Sequence, residues 1–173
     1  MLNNSFIYDY LMSYRIGSGV DYHQLVAGRK LWIGGVEIPH EKGSLGHSDG
    51  DVLLHAICDA MLGALALGDI GHHFPDTDPA LKGIDSKILL AKTAVIITQK
   101  GYELVNIDST ICLQIPKINP FVLHMREAIA GVLKIHIDCV SIKATTTEKM
   151  GFVGREEGLV AYATVLLKKA STE

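Results

Sequence analysis

Apolar positions recur along this chain with two periods, and the places where the period changes mark out its elements. Tyr14 to His23 reads as a first strand, with glycines at 17 and 19 that imply a bend or the close approach of another group. Leu31 to Pro39 reads as a short hairpin turning at Gly34-Gly35, and His40 to Gly46 as a polar loop. Ser48, with Asp51 three residues on, fits a capping box that opens a helix. That helix is predicted to run to about Leu67 and stop at Gly68. Its apolar set, from Val52 and Leu53 to Ala64 and Leu65, is broad, so most of its circumference should be buried. A long loop, Asp69 to Gly83, carries Pro75, Pro79 and three aspartates; a loop of that length in a compact domain is more often functional than idle. Ser86 to Lys100 is a second helix, closed by Gly101, and Leu104 to Leu113 alternates as a strand. A proline-punctuated turn, Gln114 to Pro120, leads to a third helix, Phe121 to Leu133. Val140 to Ala144 and Leu159 to Leu167 are the last strands. The order predicts an α+β fold, a two-layer α/β sandwich with a four-stranded main sheet and helices on one face.

Composition narrows the class. The chain has 173 residues, 48% of them hydrophobic, which suits one domain with a real core. A net charge of −3 gives no electrostatic case for nucleic acid or an anionic membrane surface as a partner. No stretch approaches the roughly 20 apolar residues of a membrane span. Residues 1–13 lack the basic start of a signal peptide and read as an N-terminal extension to a domain at 14–173. Cys58, Cys112 and Cys139 sit in apolar contexts without metal-finger spacing, as buried free thiols of a cytoplasmic protein would.

Several side chains break the apolar pattern. Asp21 and His23, two apart on a strand, share a face. With His55 they offer one carboxylate and two imidazoles, a set suited to a zinc-like divalent ion with a fourth position open. The plainer alternatives are a strand-end histidine bonded to a carbonyl and a partly buried His55 bonded to a neighbouring aspartate. His47 and Ser48 stand at the predicted helix start, where free N–H groups can bind an anion; Ser48 as a simple cap is the alternative. Thr145, Thr146 and Thr147 follow a strand and can bond phosphate oxygens, with Glu148 able to hold a magnesium ion; ordinary β propensity accounts for them equally. Arg155 can grip an anion or pair with a neighbouring glutamate. Asp69, Asp76 and Asp78 can accept from sugar hydroxyls or serve turn geometry.

The succession of these motifs is more specific than any one of them. Arg15-Ile16-Gly17 with Gly19, Asp21 and His23, the run His47 to Asp51 with His55, Gly68-Asp69-Ile70-Gly71, Phe74 to Asp78, and Lys143 to Lys149 with Gly151-Phe152 and Gly154-Arg155 follow one another in order. In this the chain resembles the 2-C-methyl-D-erythritol 2,4-cyclodiphosphate synthase family from about Arg15 to Lys169. The resemblance implies a homotrimer with active sites at subunit interfaces. It implies cyclisation of 4-diphosphocytidyl-2-C-methyl-D-erythritol 2-phosphate with release of CMP, a phosphorus–oxygen lyase reaction of the non-mevalonate isoprenoid pathway. It places Zn2+ or a similar ion on Asp21, His23 and His55, and Mg2+ or Mn2+ on Glu148 between the phosphates. His47 and Thr146 match transition-state stabilisers. Ser48, Asp69, Gly71, Phe74, Asp76, Asp78, Pro116, Lys117, Thr145, Phe152 and Arg155 match substrate contacts. Arg155 and Glu157 match the cap of an axial cavity that takes an isoprenoid diphosphate. A metal-dependent phosphohydrolase on the same site, and a non-catalytic trimer that binds isoprenoid diphosphates, are the alternative functions.

Overall fold

The computed structural model describes residues 13–170; apart from Ser13, the predicted N-terminal extension lies outside the described residues. Strand β1 (Tyr14–Ala27) is followed by a hairpin, β2 (Leu31–Ile33) and β3 (Val36–Ile38), and by β4 (Lys42–Leu45). Helix α1 (Val52–Ala64), a short helix α2 (Ile70–His73) and helix α3 (Ser86–Gln99) come next. Then follow β5 (Tyr102–Cys112), α4 (Val122–Leu133), β6 (Val140–Thr145), a one-turn helix α5 (Gly151–Gly154) and β7 (Gly158–Lys169).

The main sheet has five strands, not four, in the order β4-β1-β7-β5-β6. Strand β4 falls inside the segment read as a polar loop. It pairs antiparallel with the end of β1, Gln24 to Ala27, which continues past the predicted stop at His23. Strands β5 and β6 are parallel and the other neighbours antiparallel, so the sheet is mixed.

Side chains alternate along β1. Gly17, Gly19, Asp21 and His23 turn toward α1, while Tyr14, Ile16, Val20 and Tyr22 are exposed on the opposite face. Helix α1 lies across β1 and β7 with all but three of its residues buried; the exceptions are His55, Asp59 and Gly63, one stripe at i, i+4 and i+8. Each fully buried Leu or Ile in it contributes roughly 1.5–3 kcal/mol. Gly17 and Gly19 let the strand meet the helix backbone. A Cβ at either would collide with the backbone of Ala60 or Ala56.

The helix does not start at Ser48. Its N-cap is Asp51, whose carboxylate accepts from Leu53 N and Leu54 N. Gly50, at φ +76°, cannot belong to the first turn, which moves the cap from Ser48 to Asp51. The same buried carboxylate accepts from Gly34 N at 2.9 Å and Gly35 N at 2.6 Å, fastening the β2–β3 hairpin to the helix. Burial raises the Asp51 pKa, and these N–H donors oppose the rise. The helix ends at Ala64 rather than Leu67, where Ala66 turns left-handed. Of the three cysteines only Cys58 is buried, its thiol pushed up to about 12; Cys112 and Cys139 are half-buried.

Candidate active site

Asp21 and His23 leave β1 on its helix side, and His55 reaches them from the polar stripe of α1. Asp21 Oδ2 lies 3.0 Å from His23 Nε2 and 3.0 Å from His55 Nδ1, and the two ring nitrogens are 3.1 Å apart. Ligands of a tetrahedral zinc-like ion stand about 3.3–3.4 Å from one another, so each edge of this triangle needs to open by only about 0.3 Å. His23 Nδ1 is 2.8 Å from the Leu45 carbonyl oxygen, which only accepts. In the neutral ring, Nδ1 therefore carries the hydrogen and Nε2 turns a lone pair inward. The three residues can hold a metal ion.

Electrostatics agree with the geometry. Burial alone would raise the Asp21 pKa, but without a metal ion, hydrogen bonds from the His23 and His55 rings in their protonated forms outweigh it and hold the carboxyl well below the usual carboxylate range. Burial alone would lower the His23 pKa, but the bond to Asp21 outweighs it and raises it. The centre is built to keep positive charge, whether a proton or a metal ion.

A cavity of about 430 Å³ opens beside this trio, lined by His23, His47, Ser48, His55, Phe74 and Asp76. Gly71 of α2 borders it too. The exposed His47 ring has Nε2 3.4 Å from the Asp78 carbonyl oxygen. Ser48 is buried, and its Oγ lies 3.1 Å from His55 Nε2 and accepts from Gly50 N. The Asp69 and Asp78 carboxylates do turn work: Asp69 accepts from His72 N at 2.9 Å and Asp78 from Ala80 N at 2.9 Å. Asp59, which with Asp51 is the expected partner of His55 in the plainer alternative, instead accepts from Ile70 N at 2.7 Å and ties α2 to α1, while His55 meets Asp21.

The remaining predicted residues gather elsewhere. Pro116, Lys117, Thr145 and Thr146 line a hollow of about 100 Å³ that shares no lining residue with the first cavity. Thr146 Oγ1 donates to Glu148 Oε1 at 2.9 Å. Glu148 and Lys149 are both left-handed, at φ 52° and 65°, a strained pair held in part by Lys149 N donating to Gln114 Oε1 at 3.2 Å. Phe152 lies beside Tyr22 and His23 around a third hollow, of about 530 Å³. Arg155 makes the plainer contact expected of it, a two-pronged pair with Glu157 at 3.0 Å on both arms. Sequence reasoning gave no site role to Ser86, whose Oγ lies 2.9 Å from His55 Nε2.

Residues 14–168 match the YgbB family. The chain belongs to the YgbB family. Relatives of this YgbB chain include 2-C-methyl-D-erythritol 2,4-cyclodiphosphate synthases. That of Chloroherpeton thalassium is 62% identical over 155 residues, covering 90% of this chain and 99% of the relative. That of Phocaeicola vulgatus is 58% identical over 159 residues, covering 92% and 99%. Among solved structures, IspF of Plasmodium falciparum in complex with CDP superposes with a TM-score of 0.81 at 34% identity, covering 92% of this chain and 98% of that one. Among the described residues, no helix is long and apolar enough to cross a membrane.

Proposed function

We propose that this YgbB chain, residues 14–173 as one domain, is a 2-C-methyl-D-erythritol 2,4-cyclodiphosphate synthase. It converts 4-diphosphocytidyl-2-C-methyl-D-erythritol 2-phosphate to the cyclic diphosphate and CMP, a phosphorus–oxygen lyase reaction of the non-mevalonate pathway in the cytoplasm. The observation that carries this reading is the convergence of Asp21, His23 and His55 beside a cavity, in a chain about 60% identical to proteins of that name.

The chemistry needs no nucleophile from the protein. An oxygen of the substrate's 2-phosphate forms a bond to the β-phosphorus. The bond from that phosphorus to the oxygen it shares with the α-phosphorus breaks, and CMP leaves with the electron pair. Both partners are anions, so repulsion is the main obstacle. Asp21, His23 and His55 would hold a zinc-like ion and Glu148 a magnesium or manganese ion, and bound there the two would supply positive charge that offsets it. The His47 ring and the Thr146 hydroxyl hydrogen-bond phosphate oxygens as charge builds. Ser48 and Thr145 add hydroxyls. Gly71, Phe74 and Asp76, with Asp69 and Asp78 shaping the loop, hold the sugar and methylerythritol portions; Pro116 and Lys117 line the base pocket. Phe152 and Arg155 add further substrate contacts. Holding the substrate folded removes translational freedom, worth on the order of 7–11 kcal/mol in well-oriented intramolecular reactions.

A homotrimer is part of the same reading. Ile16 is 72% exposed on the sheet face away from α1, and Tyr14, Val20, Tyr22 and Tyr162 are exposed along the same face. Such a face calls for a partner surface. An axial cavity capped by Arg155 and Glu157, able to take an isoprenoid diphosphate, belongs with that assembly.

The test is CMP release with the cyclic product detected by mass. Wild type should give both products, and His55→Ala should lose nearly all activity while staying folded. Label from 18O-water in the product would mean hydrolysis instead, and full activity of His55→Ala would remove the metal role. Sedimentation should give a trimer for wild type and smaller species for Ile16→Glu; a wild-type monomer would overturn the assembly.

A further inference from the structure

His55 turns Nδ1 toward Asp21 and His23, and Nε2 away from them, 2.9 Å from Ser86 Oγ. Ser86 opens α3 and is fully buried. Its hydroxyl donates to Asp49 Oδ1, and its backbone N–H donates to Asp49 Oδ2 at 2.9 Å. Asp49 is itself held by the Asp51 N–H at 3.1 Å, while its own N–H donates to the Ile84 carbonyl at 3.0 Å.

For a neutral His55 ring the short Ser86–Asp49 contact decides the proton count along this row, and Ser48 Oγ, 3.1 Å from the same Nε2, can serve as a second acceptor. An ionised carboxylate only accepts, so the single hydroxyl hydrogen of Ser86 is committed to Asp49. The Ser86 oxygen then offers His55 a lone pair. His55 Nε2 must carry the ring hydrogen, which leaves Nδ1 with its lone pair aimed at Asp21 and His23. The Leu45 carbonyl imposes the matching choice on His23. With both rings neutral and so fixed, three acceptor atoms face one another about 3 Å apart, an arrangement relieved by a cation between them, a proton or a metal ion.

We propose that Asp49 and Ser86 are positioning residues. Their relay locks His55 in the Nε2–H tautomer and so presents Nδ1 as a ready ligand for a divalent cation. This rests on the metal reading above. Partners of this kind behind a histidine ligand typically change metal affinity by about 10–100-fold.

The experiment titrates Zn2+ into chelator-stripped, full-length protein against a chromophoric competitor, alongside thermal melts. Ser86→Ala should bind zinc about 10–100-fold more weakly, and Ser86→Thr, which keeps the hydroxyl, should restore binding. Asp49→Asn puts an amide N–H against an N–H or reverses the relay; it should also weaken binding, and it decides the question should Ser86→Ala fail to fold. Long-range 1H–15N spectra of histidine-labelled metal-free protein, with the His55 signals assigned from His55→Gln, should show the hydrogen on Nε2 in wild type and a mixture in Ser86→Ala. Equal zinc affinity in wild type and the folded variants, or a wild-type His55 with its hydrogen on Nδ1, overturns the relay. A wild type that binds no zinc overturns the metal reading itself.

Discussion

Replacing Gly19 with alanine tests whether the contact between β1 and α1 sets the metal-ligand triangle. The glycine has no side chain because the helix backbone occupies that space. A Cβ there would sit 2.7 Å from Ala60 N, 2.9 Å from Asp59 Cβ, and closer still to the Ala56 carbonyl oxygen. Comfortable heavy-atom contact begins at about 3.5 Å, so strand and helix must part by about 0.8 Å, and by more at Ala56. Forced expansion of a packed core costs about 1–3 kcal/mol, which in a chain of this length lowers Tm by roughly 2–12 °C. The second effect is the sharper one. His55 is the neighbour of Ala56, whereas Asp21 and His23 ride on the strand. A parting of that size exceeds the tolerance of about 0.2 Å on metal–ligand distances, so zinc affinity should fall by about tenfold or more. Gly63→Ala is the control. It lies on the same helix, its nearest neighbour would be Ser18 O at 3.8 Å, and the change should be neutral or stabilising by about 0.5–1 kcal/mol. The assays are thermal melts in chelator and zinc competition. Wild-type Tm and wild-type zinc affinity in Gly19→Ala would refute the reasoning.

Two further outcomes follow from the buried carboxylates. Asp51→Ala orphans N–H groups of Gly34, Gly35, Leu53 and Leu54 and should cost roughly 2–4 kcal/mol from the lost cap and unpaired donors; an unchanged urea midpoint would count against that cap. In metal-free protein the raised His23 pKa adds stability that is full below 6.5 and lost as pH rises through the folded value; the lowered Asp21 pKa adds stability present above 3.8 and lost as pH falls through its folded value. Their joint contribution therefore spans 3.8 to 6.5. Because zinc must displace the His23 proton, zinc affinity should start to fall on acidification at a pH above 6.5, with a slope of about one proton; calorimetry in buffers of different ionisation heat reads that proton, and a flat profile from pH 8 to 6 would exclude it.

Much of the candidate centre was legible because the two periods of the backbone carry it. Alternation put Asp21 and His23 on one face of a strand, and a helix with a broad apolar surface left His55 conspicuous on a narrow polar stripe. What sequence missed has physical causes. Strand β4 reads Lys42-Gly43-Ser44-Leu45, without an apolar alternation, because Gly43 packs against the backbone of Lys30 and Ser44 is buried under Gly50. Ser48 and Asp51 are both good caps, and only the left-handed Gly50 between them decides for Asp51. Ser86 looked like the start of a helix and nothing more. Its bonds to Asp49 and His55 join residues 37 and 31 positions away, beyond the reach of any local pattern.

Strand order separates the residues of the proposed site into two groups. Strands β1, β5 and β6 run the same way, since β1 and β5 are each antiparallel to β7 and β6 is parallel to β5. Asp21 and His23 sit near the end of β1 with His55 against them, Pro116 and Lys117 follow β5, and Thr146 and Glu148 follow β6. All the candidate chemistry therefore collects at one end of the sheet. Yet β1 and β6 are separated by β7 and β5, three strand spacings or about 14 Å. That distance is too great for one phosphate to touch both His55 and Thr146 of the same chain. A complete site then needs the β6 end of one copy beside the β1 end of another, which the proposed trimer would supply through the exposed apolar sheet face. The arrangement makes a discriminating expectation: inactive His55→Ala and inactive Thr146→Ala proteins, mixed and allowed to exchange subunits, should regain activity at the interfaces that pair an intact half from each. Mixtures that stay silent, with exchange verified by mass, would place both halves of each site in a single chain and contradict the spacing argument.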